Sequence, residues 1–473
     1  MRLKRALPML AGRRPAATSP LKTKDSAMHK TFAALGVLAG AIGSAYAAEG
    51  PVPTGVPHLD HVFVIMMENH GYSQIIGNPS APFTNSYALI ANSATNYYAI
   101  AHPSLNNYLE VVGGSNFGIQ SDNYPDWHDF ACASNLLSHT TNTDNPPSPA
   151  ICPIAGEGTE AAVPAVDTTN EVQGSPGENN IDGTASIPAA NNIVGISIAD
   201  QLALAGLTWK SYQESLPPEG ADKVNISDGY FTDKTDFSLI KPTLSPALSQ
   251  GDVVALYAVK HNPFAYFQST QEGWQPGNTL DNTVDFDGAG GLYADLASGH
   301  VPNFAFIAPN QCNDQHGRGN AGAFCNYDPS DNGTQGGLNP ALILRGDVTV
   351  RKLITAIKSS PAWANGSNAI VLLWDENDYS TAPNNNQVPF IVDTNYGAHG
   401  ISSATRYTHY SLLKSLEAGF RLPCLNHACD SGTAVMSDLF GSTQTSSTSL
   451  AGSLQLSVKD LKAQDANVAA GKK

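Results

Sequence analysis

Glu68 is followed directly by Asn69, and Asp375 by Glu376, at two widely separated points of the chain. A carboxylate next to an amide offers two oxygen donors with little freedom between them, the ligand type that hard divalent cations take. Adjacent carboxylates repel each other unless a cation lies between them. By itself Glu68-Asn69 also reads as a helix N-cap, but two such clusters, each ending an apolar run, favour a shared metal. Ser104, in His102-Pro103-Ser104-Leu105-Asn106-Asn107-Tyr108, heads the periodic stretch Leu109 to Val112 before Gly113-Gly114. A hydroxyl in that position can attack phosphorus while the first amides of the helix receive the phosphoryl oxygens. The plain alternative is a serine N-cap on a helix over 105–112. His102 nearby would also serve a serine acyl hydrolase, but the chain lacks the G-x-S-x-G elbow. In Asp314-Gln315-His316 the histidine is the titrating group best suited to protonate a leaving group. His261, His399 and His409 taken singly read as structural hydrogen-bonding residues, and His70, His128 and His139 have no assignment.

These clusters need elements to position them. His61–Met67 has the β-branched and aromatic composition of a buried parallel strand and runs into Glu68. Val301–Ala308 leads to Asp314 and His316, Ala369–Trp374 to Asp375-Glu376-Asn377-Asp378, and Val388–Val392 to Asp393. Helical patterns intervene over 198–204, 291–297, 347–359 and 410–420. Alternation of this kind predicts an α/β fold with a mostly parallel central sheet, helices on both faces, and long loop insertions. In such sheets ligands gather outside the carboxyl ends of the strands, where the polar clusters fall.

The composition is globular, with 41% apolar and 14% charged residues. A formal charge of −16 argues against nucleic-acid binding and against general affinity for anionic lipid. From Met28, a basic start, the apolar run Phe32–Gly43 and Ala45-Tyr46-Ala47 match a secretory signal, so the mature protein is expected to be secreted or periplasmic. The apolar run is too short to span a bilayer, and no transmembrane segment is expected after its removal. Removing residues 1–47 would take the formal charge to −23. Six cysteines in an exported chain predict disulfides, most simply 132–152, 312–325 and 424–429. One catalytic domain is expected over 48–440, with a loop-rich insertion at 134–192, a cap-like stretch from Pro217 to Thr235, and a disordered tail over 441–473 holding one short helix near Val458–Leu461.

Seven stretches, in order, resemble the phosphoesterase family that groups secreted acid phosphatases with metal-dependent phospholipases C, within the alkaline-phosphatase-like fold. They are Asp60 to His70, Ala101 to Leu109, Lys260 to Phe264, Val301 to Phe304, Asn313 to His316, Trp374 to Asp378 and Thr408 to Glu417. The resemblance runs along most of 57–425. It implies Glu68, Asn69, Ser104, Asp375 and Glu376 as metal ligands, with Ser104 also the phosphorylated nucleophile. It implies Asp314 and His316 as phosphate-side or general-acid residues, and His102, His261 and Asn107 as substrate contacts. Many members carry Asn-His where this chain reads Asn386-Gln387, which favours a one-metal, oxygen-rich centre holding Mg, Ca or Mn. The expected activity is phosphomonoester hydrolysis of a phosphorylated small molecule or lipid. A phospholipase C acting on diesters and a non-catalytic binding protein on the same fold are the alternatives.

Overall fold

The computed structural model describes residues 50–117, 119, 122, 193, 195–216, 256–271, 273–317, 325, 339–377 and 385–441. The signal segment, the 134–192 insertion, the 217–235 stretch, the 132–152 cysteine pair, Asp378, His128, His139 and the tail expectations lie outside the described residues. The chain divides into 1–47 and 48–473, and the described residues belong to the second unit.

The described strands are β1 (His61–Met67), β2 (Asn92–Ala94), β3 (Tyr97–Tyr98), β4 (Trp209–Gln213), β5 (Thr283–Val284), β6 (Phe304–Ala308), β7 (Asn368–Trp374), β8 (Phe390–Thr394), β9 (Ser402–Ser403) and β10 (Tyr407–Thr408). The helices are α1 (Tyr72–Ile75), α2 (Pro82–Ile90), α3 (Ser104–Gly113), α4 (Ile198–Leu204), α5 (Gln268–Gln271), α6 (Leu292–Ser298), α7 (Pro340–Ser359) and α8 (His409–Phe420). Eight strands form one sheet in the order β5-β4-β6-β1-β7-β8-β2-β9, and β3 pairs with β10 separately. All sheet pairings are parallel except those of β8 with β7 and β2. Alternate residues of a strand point to opposite faces, and β6, β7 and nearly all of β1 are buried at every position, so both faces are covered. One group of helices packs α3 against α8 and α4, and another packs α7 against α2 and α6.

The apolar runs became strands because continuous hydrophobic segments can be satisfied only in the middle of a covered sheet. Several boundaries differ from expectation for local reasons. β6 begins at Phe304, since Pro302 has no N–H to give a ladder. Pro389 likewise delays β8 to Phe390. α7 starts at Pro340, not Asp347, because Asn339 caps it by accepting from the Ala341 amide and proline suits the first helical turn.

The fourth apolar run overturns a more important expectation. β8 runs antiparallel to β7, with Asp393 opposite Ile370, so Asp393 stands at the amino end of the central strands and not at the mouth where Asp375 lies. There it accepts from Tyr87 Oη at 2.8 Å and pairs with Lys358 and with His399 Nδ1 at 3.5 Å.

Candidate functional site

Register brings the two carboxylate clusters together. Met67 lies opposite Trp374 in the parallel β1–β7 pair, so the next residues, Glu68 and Asp375, leave the sheet side by side about 5 Å apart in backbone spacing. The Asp375 amide donates to the Met67 carbonyl at 3.0 Å, and the Asn69 amide to Asp375 Oδ1 at 2.9 Å. On the other flank β6 pairs with β1, and the Glu68 amide donates to the Asp314 carbonyl at 2.9 Å. Three central strands thus deliver Glu68, Asp314, Asp375 and Glu376 to one place, all buried.

Ser104 enters from α3. Pro103 occupies the N-cap with no side-chain cap, and Ser104 is the first helical residue. Its hydroxyl caps nothing. Oγ instead lies 3.2 Å from Glu68 Oε2 and 3.1 Å from Glu376 Oε1, able to donate to either. Every residue of α3 is buried, which fixes the hydroxyl's position without any surface loop. Glu68 and Asn69 cap no helix either, since α1 starts at Tyr72 with Gly71 as its cap.

Around this centre, Tyr108 Oη donates to Glu68 Oε1 at 2.5 Å, and its ring stacks on His261 with centroids 5.2 Å apart. His261 Nε2 approaches Glu68 Oε1 at 3.0 Å and its Nδ1 lies 3.4 Å from Asp314 Oδ2. His102 Nδ1 lies 2.6 Å from Glu376 Oε2. His316 donates its amide to Asp314 Oδ1 at 2.7 Å, and its Nδ1 faces the Gly317 carbonyl at 2.9 Å, which puts the ring proton on Nδ1. Lys260 Nζ then donates to His316 Nε2 at 3.2 Å and to Asp122 Oδ2 at 2.8 Å.

The expected site residues therefore converge. Asn107, expected as a substrate contact, accepts from the Ile100 and Ala101 amides at 3.0 and 3.1 Å and donates to the Ala101 carbonyl and Glu376 Oε2 at 2.8 and 3.2 Å. All four hydrogen-bonding positions of its amide are used. It holds the loop before Ser104 over Glu376. Of the next amides of α3, that of Leu105 donates to Asp122 Oδ1 at 3.0 Å and that of Asn106 to the Pro103 carbonyl at 3.1 Å, so neither is open to a phosphoryl group. Tyr108, Lys260 and Asp122 were not singled out as functional from sequence. The first two lie inside the matched motifs, and Asp122 carries no local signal at all.

Burial raises the Glu68, Asp314 and Glu376 carboxyls well above the carboxylate range, and the charge of Asp375 pushes each of them further. Asp375, raised chiefly by burial, sits at about 6 against support from the Asn69 amide. Burial also lowers His261 well below its usual value, with the nearby Lys260 charge adding to it, so the ring is neutral. Asp375 Oδ2 is buried beside the Glu68 carboxyl and the Ser104 hydroxyl and accepts no well-aligned hydrogen bond. Four buried carboxyls held close, with an oxygen left over, fit a hard divalent cation. Glu68, His261 and His316 also each place a ligand atom within 4.8 Å of the others.

The sequence model of the phosphoesterase family matches residues 79–325, more than half of the chain. The chain belongs to the phosphoesterase family. This phosphoesterase is a phosphoric ester hydrolase, and its sheet is the mostly parallel α/β sheet expected from sequence. It is 23% identical over 410 residues to a phosphatidylinositol-3-phosphatase of Mycobacterium tuberculosis, covering 85% of this chain and 91% of that protein. It is 22% identical over 372 residues to an acid phosphatase of Aspergillus fumigatus, covering 78% of this chain but only 56% of the fungal protein's length. The solved structure of a protein in the alkaline phosphatase superfamily from Vibrio parahaemolyticus aligns with 82% of this chain and 74% of its own, at 10% identity and a TM-score of 0.40. Two of the expected disulfides, Cys312–Cys325 and Cys424–Cys429, are present, and the first closes the loop that carries Asp314 and His316. Among the described residues no helix is long and apolar enough to cross a membrane.

Proposed function

We propose that this phosphoesterase is an exported, metal-dependent acid phosphatase that cleaves phosphate monoesters through a phosphoserine on Ser104. One observation carries the reading: the Ser104 hydroxyl, at the head of a fully buried helix, is shared between two carboxylates that come from distant strands. Glu68, Asp375, Glu376 and Ser104 would hold one divalent cation, with Asn69 half-buried at its edge. When bound, it would neutralise the carboxylates and the phosphoryl oxygens and lower the pKa of the serine hydroxyl.

The chain's own groups account for the proton and positioning steps. Glu68 or Glu376 takes the Ser104 proton as Oγ bonds to phosphorus and the ester oxygen leaves in line. His316 holds its own proton at Nδ1 and its Nε2 accepts from the Lys260 ammonium, so the proton reaching the leaving oxygen comes from water. Water then attacks the phosphoserine and Oγ departs, recovering a proton from the same carboxylates. Asn107 and Tyr108 keep those carboxylates aimed at Oγ.

The name of the mycobacterial relative supports including an inositol phosphate monoester among the substrates tested. The test is hydrolysis by the purified chain of an aryl phosphate, an aryl phosphocholine, a phosphoinositide and an aryl carboxylic ester, each with and without chelator. Monoester cleavage lost on chelation is expected. Preferential diester cleavage would instead support a phospholipase C, and chelator-insensitive cleavage of carboxylic esters would return Ser104 to acyl transfer.

A further inference from the structure

Glu68, His261 and His316 have ligand atoms close enough together to hold a second cation. A carboxylate with two imidazoles is a borderline-soft donor set that suits zinc, and Asp314 beside His261 Nδ1 is the kind of outer carboxylate that orients a ligating histidine. Yet the ammonium of Lys260, 2% exposed, stands 3.2 Å from Nε2 of His316. That nitrogen is the ring's one acceptor, because Nδ1 is committed to the Gly317 carbonyl. A metal ion there would have to displace the ammonium or sit against it, at a repulsion that buried charges screen poorly.

Lys260 is also held from behind. Asp122 accepts from Lys260 Nζ with one carboxylate oxygen and from the first turn of α3, through the Leu105 amide, with the other. Asp122 therefore occupies one of the amides at the helix end that could otherwise receive a phosphoryl oxygen, and in exchange fixes a positive charge beside the phosphate-side histidines.

Resting on the phosphatase reading above and deepening it, we propose that Lys260 is a built-in second cation: its ammonium, pinned by Asp122 and His316, balances the dianionic monoester in place of a second metal ion at Glu68, His261 and His316. The centre then works with one ion, and its preference for monoesters over singly charged diesters comes from the lysine.

The test is native mass spectrometry of the full chain with excess zinc or cobalt(II), combined with kinetics. The wild type is expected to bind one ion. The double variant Lys260→Met with Asp122→Asn, which removes both charges of that buried ion pair together, is expected to bind two, with a cobalt spectrum typical of histidine ligation. Its kcat/KM should fall about 10²-fold on an aryl phosphate and much less on the matching diester, while Lys260→Arg should keep most of the discrimination. Two ions on the wild type, one ion on the double variant, or equal losses on both substrates overturns the proposal. A wild type that binds no ion and stays active under chelation overturns the one-metal reading as well, which separates the two failures.

Discussion

Ser104 is the residue on which the proposed chemistry turns, because a hydroxyl between two buried carboxyls has no structural duty that another residue would not serve better. Its cap position is filled by Pro103 and its bonds are to groups that would prefer to be rid of their own charge. Ser104→Ala is therefore expected to lower kcat by at least about 10³-fold while changing unfolding free energy by roughly 1 kcal/mol. Acid quenching with a labelled monoester should trap a phosphoenzyme in the wild type and none in the variant. Retention of more than a few per cent of wild-type turnover removes Ser104 from the role. His409 gives a second expectation at this scale. Its Nε2 donates to the Asp375 carbonyl at 2.7 Å, its Nδ1 accepts from Tyr97 Oη at 2.9 Å, and burial lowers it from 6.5 to about 4. The unfolded chain binds this proton below pH 6.5 and the folded chain does not until about pH 4, so stability falls as pH drops through that window. The loss at the acid end is about 3 kcal/mol. Urea unfolding between pH 7 and pH 4.5 should show a shallower decline for His409→Gln; an unchanged slope would assign the acid sensitivity elsewhere.

At the scale of elements, the Asp314–His316 loop is positioned by α7 as much as by β6. Gln315, with φ of 81°, accepts from Trp374 Nε1 at 2.9 Å and donates to the Ile343 carbonyl at 2.9 Å. Its side chain lies against Gly346, where an added Cβ would come within 2.2 Å of Gln315 Cγ. Glycine inside a helix normally weakens it relative to alanine. Here the close approach reverses the sign. Gly346→Ala is expected to destabilise the protein by roughly 1–3 kcal/mol and to lower kcat by shifting Asp314 and His316, although it touches neither. Thermal melts and kinetics on the same preparation check this, and a variant more stable than wild type would show that the loop can move aside. The Cys312–Cys325 disulfide restrains the same loop from its other end.

The whole molecule carries a formal charge of −16, while the substrate it is proposed to bind is a dianion. A like-charged protein repels its ligand over distances comparable to the Debye length, which shrinks from about 30 Å at 0.01 M salt to about 8 Å at 0.15 M. With metal saturating, kcat/KM for an aryl phosphate is expected to rise over that range of ionic strength. A fall would mean that the local field at Lys260 and the bound cation extends beyond the mouth of the site and steers the substrate inward.

Sequence alone determined the family, the alternation of strands and helices, and the strand ends at which Glu68, Asp375 and Glu376 meet, because apolar runs of this length have to be central strands and their polar ends have to meet where those strands stop. Glu68, Asp375 and Ser104 were legible for that reason. What neighbours what was not legible. β8 starts beside the end of β7, with Phe390 opposite Leu373, so the chain runs back along its neighbour and carries Asp393 to the end away from the candidate site. The saturation of Asn107 and the grip of Asp122 on both α3 and Lys260 join segments whose spacing along the chain says nothing of their contact. Hydrogen bonds between distant residues leave no periodicity in a sequence, so only tertiary structure could decide which polar groups remain for a substrate and which are spent holding the protein together.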